Sequence, residues 1–108
     1  MEITIEVFGH REDVPASCEY GPSVTMGEMF DDFMDKLMLN ELYEFIDLTF
    51  VEYSELLEEH DYAKEAYERG LQLPIVAIDG KVYYHSTIPY NQILETLNMK
   101  FKVEKKAS

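Results

Sequence analysis

Residues 73–85 read LPIVAIDGKVYYH, and this stretch decides the fold. Two short apolar runs, 74–78 and 81–85, flank the turn pair Asp79-Gly80. Both central residues of a type I′ turn take positive φ, which favours Asp-Gly, so the pattern predicts an antiparallel β-hairpin. The hairpin supplies two strands of a sheet, and the preceding residues must supply the others.

The N-terminal third of the chain predicts a strand and then a helix. Residues 3–7 alternate apolar and polar side chains, which is typical of a strand with one buried face, and the run ends at Phe8-Gly9. Residues 25–39 repeat apolar side chains at helical spacing, and Thr25 with Glu28 forms a capping box at the predicted start. A Met-rich stripe of this kind is more often core packing than an adaptable binding surface. Its members are Met26, Met29, Phe30, Phe33, Met34, Leu37 and Met38.

The rest of the chain continues the alternation of strands and helices. Residues 45–51 predict a strand, 54–69 contain a helix capped by Gly70, and Pro89 opens a last helix that ends near Asn98. The predicted order is therefore β-α-β-α-β-β-α. A helix between the first two strands implies a parallel, right-handed crossover. We expect an α/β fold with a four-stranded mixed sheet flanked by three helices, which is the thioredoxin-like arrangement.

Two segments resemble known proteins of that fold. LPIVAIDGKV at 73–82 looks like the third-strand hairpin of thioredoxin-like proteins, so the resemblance implies a cis proline at Pro74, beside an active-site helix. VFG at 7–9, with PASC at 15–18 and PS at 22–23, looks like a first strand and active-site loop. Together they resemble the YuzD-like family of small thioredoxin-fold proteins, which has no established activity. ArsD-like metallochaperones and other thioredoxin-like proteins are more distantly similar.

The predicted active-site loop has one cysteine where the thioredoxin pattern has two. C-x-x-C has become P-A-S-C, so Pro15 stands where the nucleophilic thiol is expected, and Cys18 is the only cysteine. Disulfide exchange needs an attacking thiolate and a second thiol that resolves the mixed disulfide. We therefore expect no dithiol oxidoreductase activity. The sequence favours a protein-interaction or accessory module that binds its partner through the surface of Cys18 and Pro74 or through an exposed edge strand.

The alternative is a thiol protein that works with Cys18 alone, as a redox participant or a carrier of a soft metal or metalloid. A helix N-terminus beside the thiol favours a thiolate, whereas the acids Glu12, Asp13 and Glu19 disfavour it. A third interpretation is that Cys18 is a small, partly buried and unreactive side chain. On this basis the only catalytic candidate is Cys18, with Pro74 as the cis proline.

Other chemistry finds little support in the sequence. His10, Cys18, His60 and His85 form no recognised pair of metal ligands, so we expect no metal. No glycine-rich phosphate-binding loop occurs, and we expect no cofactor. Adjacent tyrosines on a strand point to opposite faces, which predicts an exposed member at an edge. The interaction candidates are Pro15, Ser17, Cys18, Leu73, Pro74, Tyr83, Tyr84, His85 and Tyr90.

Charge is the most uneven feature of the 108 residues, with 22 acids against nine bases and a net charge of −13. Four of the bases and one acid fall in residues 100–108, which we expect to be a frayed basic tail after a single domain at 1–99. An acidic body repels nucleic acid and anionic membranes, and it suits a basic protein partner. No apolar run is long enough to span a bilayer, and the lone cysteine is typical of a cytoplasmic protein.

Overall fold

The computed structural model describes residues 2–14, 24–53 and 61–107, with side chains up to residue 101. The order of elements is the predicted β-α-β-α-β-β-α, with one additional 3₁₀ helix before the second strand. In chain order the elements are β1 (Ile3–Gly9), α1 (Met26–Met38), the 3₁₀ helix (Glu41–Phe45), β2 (Ile46–Glu52), α2 (Asp61–Glu68), β3 (Ile75–Ile78), β4 (Lys81–His85) and α3 (Tyr90–Ala107).

The four strands form one mixed sheet in the order β2-β1-β3-β4. β1 and β2 are parallel and pair along their whole lengths, from Ile3 opposite Ile46 to Gly9 opposite Glu52. β3 is antiparallel to both of its neighbours, β1 and β4. The predicted class, an α/β fold with a four-stranded mixed sheet and three helices, is confirmed.

The central strand β1 is buried on both faces of the sheet. Ile3, Ile5 and Val7 belong to a cluster with the buried side chains of α1 and α3. Phe8 belongs to the opposite cluster, which includes Ala63 and Ala66 of α2. The three helices therefore cover both faces, α1 and α3 on one side and α2 on the other. Among the described residues, no helix has the length and apolar character that crossing a membrane requires.

Helix α1 begins as the capping box predicts. The Glu28 N–H donates to Thr25 Oγ1 at 3.2 Å, and this satisfies one of the free donors of the first turn. The predicted apolar stripe is buried at five of its seven positions, and Met34 is half-buried. Met38 is 54% exposed, so its assignment to the buried stripe was wrong. It follows buried Leu37 by one residue, which turns its side chain about 100° away from the core.

The β3–β4 hairpin has the predicted turn. Asp79 and Gly80 have φ of 52° and 79°, as the central residues of a type I′ turn require. The turn is also fastened to β1, because the Asp79 N–H donates to Thr4 O at 2.8 Å and the Thr4 N–H donates to Asp79 Oδ1 at 2.9 Å. The Leu73–Pro74 peptide bond is cis, as the resemblance implied.

A β-bulge in β4 overturns the prediction that Tyr83 and Tyr84 point to opposite faces. Tyr84 pairs with Val76 and Val82 pairs with Ala77, so Tyr83 is an extra residue without a partner across the ladder. The two tyrosine rings lie 6.3 Å apart as a result. The expectation that one of them is exposed holds, since Tyr83 is 37% exposed at the edge of the sheet.

Helix α2 ends where Gly70 was predicted to cap it. Gly70 has φ of 93°, its N–H donates to Tyr67 O, and the Leu71 N–H donates to Ala66 O, which is a Schellman motif. Tyr62 is half-buried and packs against the cluster that includes Ala63 and Ala66. Tyr67 is 43% exposed, and its ring lies 4.6 Å from that of Tyr53.

Helix α3 continues to Ala107, so the predicted end near Asn98 was wrong. The backbone is helical through residues 100–107, where we expected a frayed tail. Phe101 lies one turn beyond buried Leu97, and its ring is 5.7 Å from that of Phe45. Lys100 Nζ lies 3.6 Å from Asp79 Oδ2 at the hairpin turn. These contacts hold the first part of the extension against the body of the protein.

Candidate functional site

The chain that leaves β1 runs directly beneath the first turn of α1. The Met26 N–H donates to Asp13 O at 2.8 Å, and the Gly27 N–H donates to Arg11 O at 3.0 Å. The His10 N–H donates to Met26 Sδ at 3.4 Å. Backbone oxygens of the segment that follows β1 thereby satisfy two free N–H donors of the helix N-terminus. The backbone of this segment is therefore held by the first turn of α1.

Glu52, at the end of β2, fixes the same segment from the other side. Its Oε1 lies 3.2 Å from His10 Nδ1, and its Oε2 accepts from the Arg11 N–H at 3.3 Å. Glu52 is in position for both contacts because it is the register partner of Gly9, the residue before His10. The carboxylate therefore orients the imidazole ring as well as the backbone.

Arg11 covers two aromatic rings beside this pair. Its guanidinium carbon lies 4.7 Å from the centre of the Phe50 ring and 5.5 Å from that of Phe30. A guanidinium at such distances is attracted by the negative faces of the rings. Its Nη1 is also 3.7 Å from Asp31 Oδ1. The side chain is thus positioned by three neighbours while about half of it remains exposed.

These residues surround an open depression of about 500 Å³ at the carboxyl ends of β1 and β2. We call its five lining residues the charged rim. They are His10, Arg11, Glu12, Asp13 and Glu52.

The floor beside the charged rim is apolar and closely packed. A Cβ on Gly9 would lie 2.8 Å from Met26 Sδ, 3.6 Å from Phe50 and 3.7 Å from Pro74 Cβ. Pro74 was predicted at the site and lies there, but its side chain is fully buried. Leu73 is also buried, at 8% exposure. Both residues shape the site from below and do not present side chains to a partner.

The predicted residues of the loop, Pro15, Ser17 and Cys18, lie outside the described residues, as does His60. Asp13 and Met26, which are described, are joined by a backbone hydrogen bond. Among residues 2–14, 24–53 and 61–107, no group of three histidine, cysteine or acidic side chains is arranged to hold a metal ion.

The remaining interaction candidates do not form one surface. Tyr84 directs its hydroxyl to Gln92 O at 3.0 Å and to Thr96 Oγ1 at 2.7 Å. The hydroxyl of Tyr90 donates to Lys36 O, and its ring packs edge-on against Phe33. Tyr84 and Tyr90 therefore pack onto helices, and Tyr83 alone of the three is exposed.

His85 lies close to Pro74 across the β3–β4 hairpin. It is the register partner of Ile75, the residue after Pro74, and its Nδ1 lies 2.9 Å from Ser86 Oγ. It stands at the same end of the sheet as the charged rim, two strands from β1.

A second polar pair, Tyr62 and Glu6, lies on the face of the sheet that α2 covers. The Tyr62 hydroxyl donates to Glu6 Oε1 on the central strand. Burial, followed by this hydrogen bond and the negative charge of Glu6, raises the pKa of Tyr62 well above its ordinary value. The phenol therefore remains a hydrogen-bond donor at every physiological pH.

Comparison with known proteins supports the fold and does not extend to function. No protein-family model matches the chain, and no curated protein matches it either. A crystal structure of a Staphylococcus aureus protein of unknown function is similar, with a TM-score of 0.71 and 17% sequence identity. The similarity covers 94% of this chain and 93% of that one, so it extends over the whole fold.

A substitution at Gly27 tests whether α1 contacts Arg11 in the segment that follows β1. Replacing an exposed helical glycine by alanine normally stabilises a helix by about 1 kcal/mol. A Cβ on Gly27 would lie 2.9 Å from the backbone oxygen of Arg11, which cannot move without breaking the Gly27–Arg11 hydrogen bond. We expect G27A to lower the free energy of unfolding by about 1–3 kcal/mol in urea titrations, as overpacking does.

The control is N98A, which makes a change to alanine at an exposed position in α3. This variant should be neutral or slightly stabilising. A G27A protein as stable as the wild type would contradict close packing of Gly27 against the Arg11 backbone.

Proposed function

We propose that the chain is a protein-interaction or accessory module with a thioredoxin-like fold, and that it binds a basic protein partner at the charged rim. Three features support the thioredoxin-like assignment. The element order is β-α-β plus β-β-α, β3 is antiparallel to its neighbours, and the buried Pro74 precedes β3 beside Gly9 at the end of β1.

The observation that carries the proposal is the chemistry of one end of the sheet. Thioredoxin-like enzymes use a pair of thiols at this end, and the present chain has one cysteine in total. A lone thiol leaves no resolving partner for a mixed disulfide. The described part of the site instead offers polar groups held in place. Glu52 contacts the His10 ring and the Arg11 backbone N–H, and Asp31 lies beside the Arg11 guanidinium. Charges held in place on a rigid floor favour recognition because little side-chain freedom is lost on binding.

The charge of the rim indicates the kind of partner. Glu12 and Asp13 are exposed, and they belong to a body in which acids greatly outnumber bases. Complementary potentials steer association and select between partners more than they add to affinity. A partner with a cluster of lysine or arginine residues fits this surface.

Site-specific crosslinking tests the proposed function. We would place a photo-crosslinking amino acid at Glu12 in the rim and, as a matched control, at Glu68, an exposed glutamate on α2. At native expression in the source organism, the Glu12 position should give a discrete protein adduct that the Glu68 position does not. Adducts of equal yield at both positions, or none at Glu12, would reject the rim as a docking surface.

A second candidate is the single-thiol protein that uses Cys18. The observation in its favour is the Asp13–Met26 hydrogen bond, because Asp13 and Met26 precede and follow Cys18 in the sequence and are joined near His10 and Glu52. The redox form of this function requires, after treatment of cells with diamide, a mixed disulfide that dithiothreitol releases and that C18S cannot form. Identical adduct patterns for wild type and C18S would reject it.

A further inference from the structure

The two edges of the sheet differ in how well they are protected against pairing with another strand. An edge strand exposes a row of N–H and C=O groups, and proteins usually blunt such edges with bulges, lysines or prolines. At one edge, β4 carries the bulge at Tyr83 and begins with the exposed Lys81. At the other edge, β2 keeps unbroken register with β1 over seven pairs. Its sequence, IDLTFVE, contains no glycine, proline or lysine.

The outer side of β2 pairs with no strand among the described residues. Strand β2 is therefore the regular, unblunted edge of this sheet. Its seven residues are long enough to template a further strand, since five or six is typical.

The two faces of β2 call for different side chains on an incoming strand. On the face shared with α1 and α3, Leu48 and Phe50 pack against the core but remain half-buried. A neighbouring strand with apolar residues on that face would cover them. On the other face, Asp47 and Thr49 are exposed, and Glu6 is the register partner of Thr49. That face carries the negative charge of Asp47, and its apolar residue, Val51, packs against the α2-side cluster.

Charge decides between the possible occupants of this edge. A second copy of the chain would bring another net charge of −13 against an acidic strand, so like charges oppose self-pairing. The lysine-rich end of the chain itself is helical through Ala107 and is not an extended strand. A basic extended segment of another protein meets both requirements, with lysine or arginine on one face and apolar residues on the other.

We propose that the outer edge of β2 binds an extended basic segment of a partner protein as a fifth strand, with alternating basic and apolar residues. This inference rests on the proposed interaction function and names the binding mode, strand addition to a sheet edge. The edge is continuous with the charged rim, because Glu52 belongs to both. A partner that binds the rim thus extends along β2.

The test uses the full chain and an end-capped heptapeptide of sequence KVKVKVK as the probe. Titration followed by ¹H–¹⁵N NMR should shift the amide signals of residues 46–52 most. D47K should weaken the affinity about 3- to 10-fold, because an exposed attraction becomes a repulsion. The matched control E68K makes the same change in net charge on α2 and should bind the peptide as the wild type does. A peptide of the same composition with its lysines and valines in separate blocks should bind more weakly.

Several outcomes would overturn the inference. Equal losses in D47K and E68K would mean nonspecific electrostatic binding, and equal affinity for the block peptide would mean that no strand is added. Concentration-dependent shifts of the β2 signals without peptide would identify a second copy as the occupant. Peptide shifts confined to residues 10–13 would reject β2 while leaving the rim, and the Glu12 crosslinking result, intact.

Discussion

The arrangement of the site depends on the close packing of neighbouring side chains around Gly9. Side chains from α1, β2 and the loop before β3 all lie against its backbone, and a Cβ there would approach Met26 Sδ to 2.8 Å. Because Gly9 has no side chain, β1 ends directly beside the first turn of α1. The next residues can then accept hydrogen bonds from the helix N-terminus, and Glu52, opposite Gly9 in the sheet, reaches the same residues. The charged rim and its apolar floor are consequences of this close approach.

Local patterns in the sequence were sufficient to predict the elements and their order. Alternation in residues 3–7, the helical stripe that begins at Met26 and the Asp79-Gly80 turn each reflect interactions within a few residues. Two of the errors occurred where distant contacts decide. The bulge at Tyr83 depends on the register between β3 and β4, and helix α3 extends past Asn98 with a contact between Phe101 and Phe45.

The surroundings of the candidate site were partly predictable, whereas its role stays a prediction. Pro74 and the exit of β1 were expected at one end of the sheet, and the structure places them there. The pairing of His10 with Glu52 was missed, because the residues are 42 positions apart and only the parallel register of β1 and β2 brings them together. A systematic search for polar residues just after predicted parallel strands would have found both, since such strand ends share one edge of a sheet. The register that pairs them was not readable from either segment alone.

Acidity, strand geometry and the single thiol lead to one account of function. The sheet presents oriented charges at one end and a regular strand at the adjoining edge, and its acidic side chains oppose pairing with its own copies. The proposed recognition of a basic partner would use all of these features, whereas exchange between two thiols of the chain would use none of them. The most direct measurement is reduction of insulin by the purified chain, supplied only with a reductase and its electron donor. The account predicts no turnover above the background without protein, and sustained catalytic reduction would contradict it.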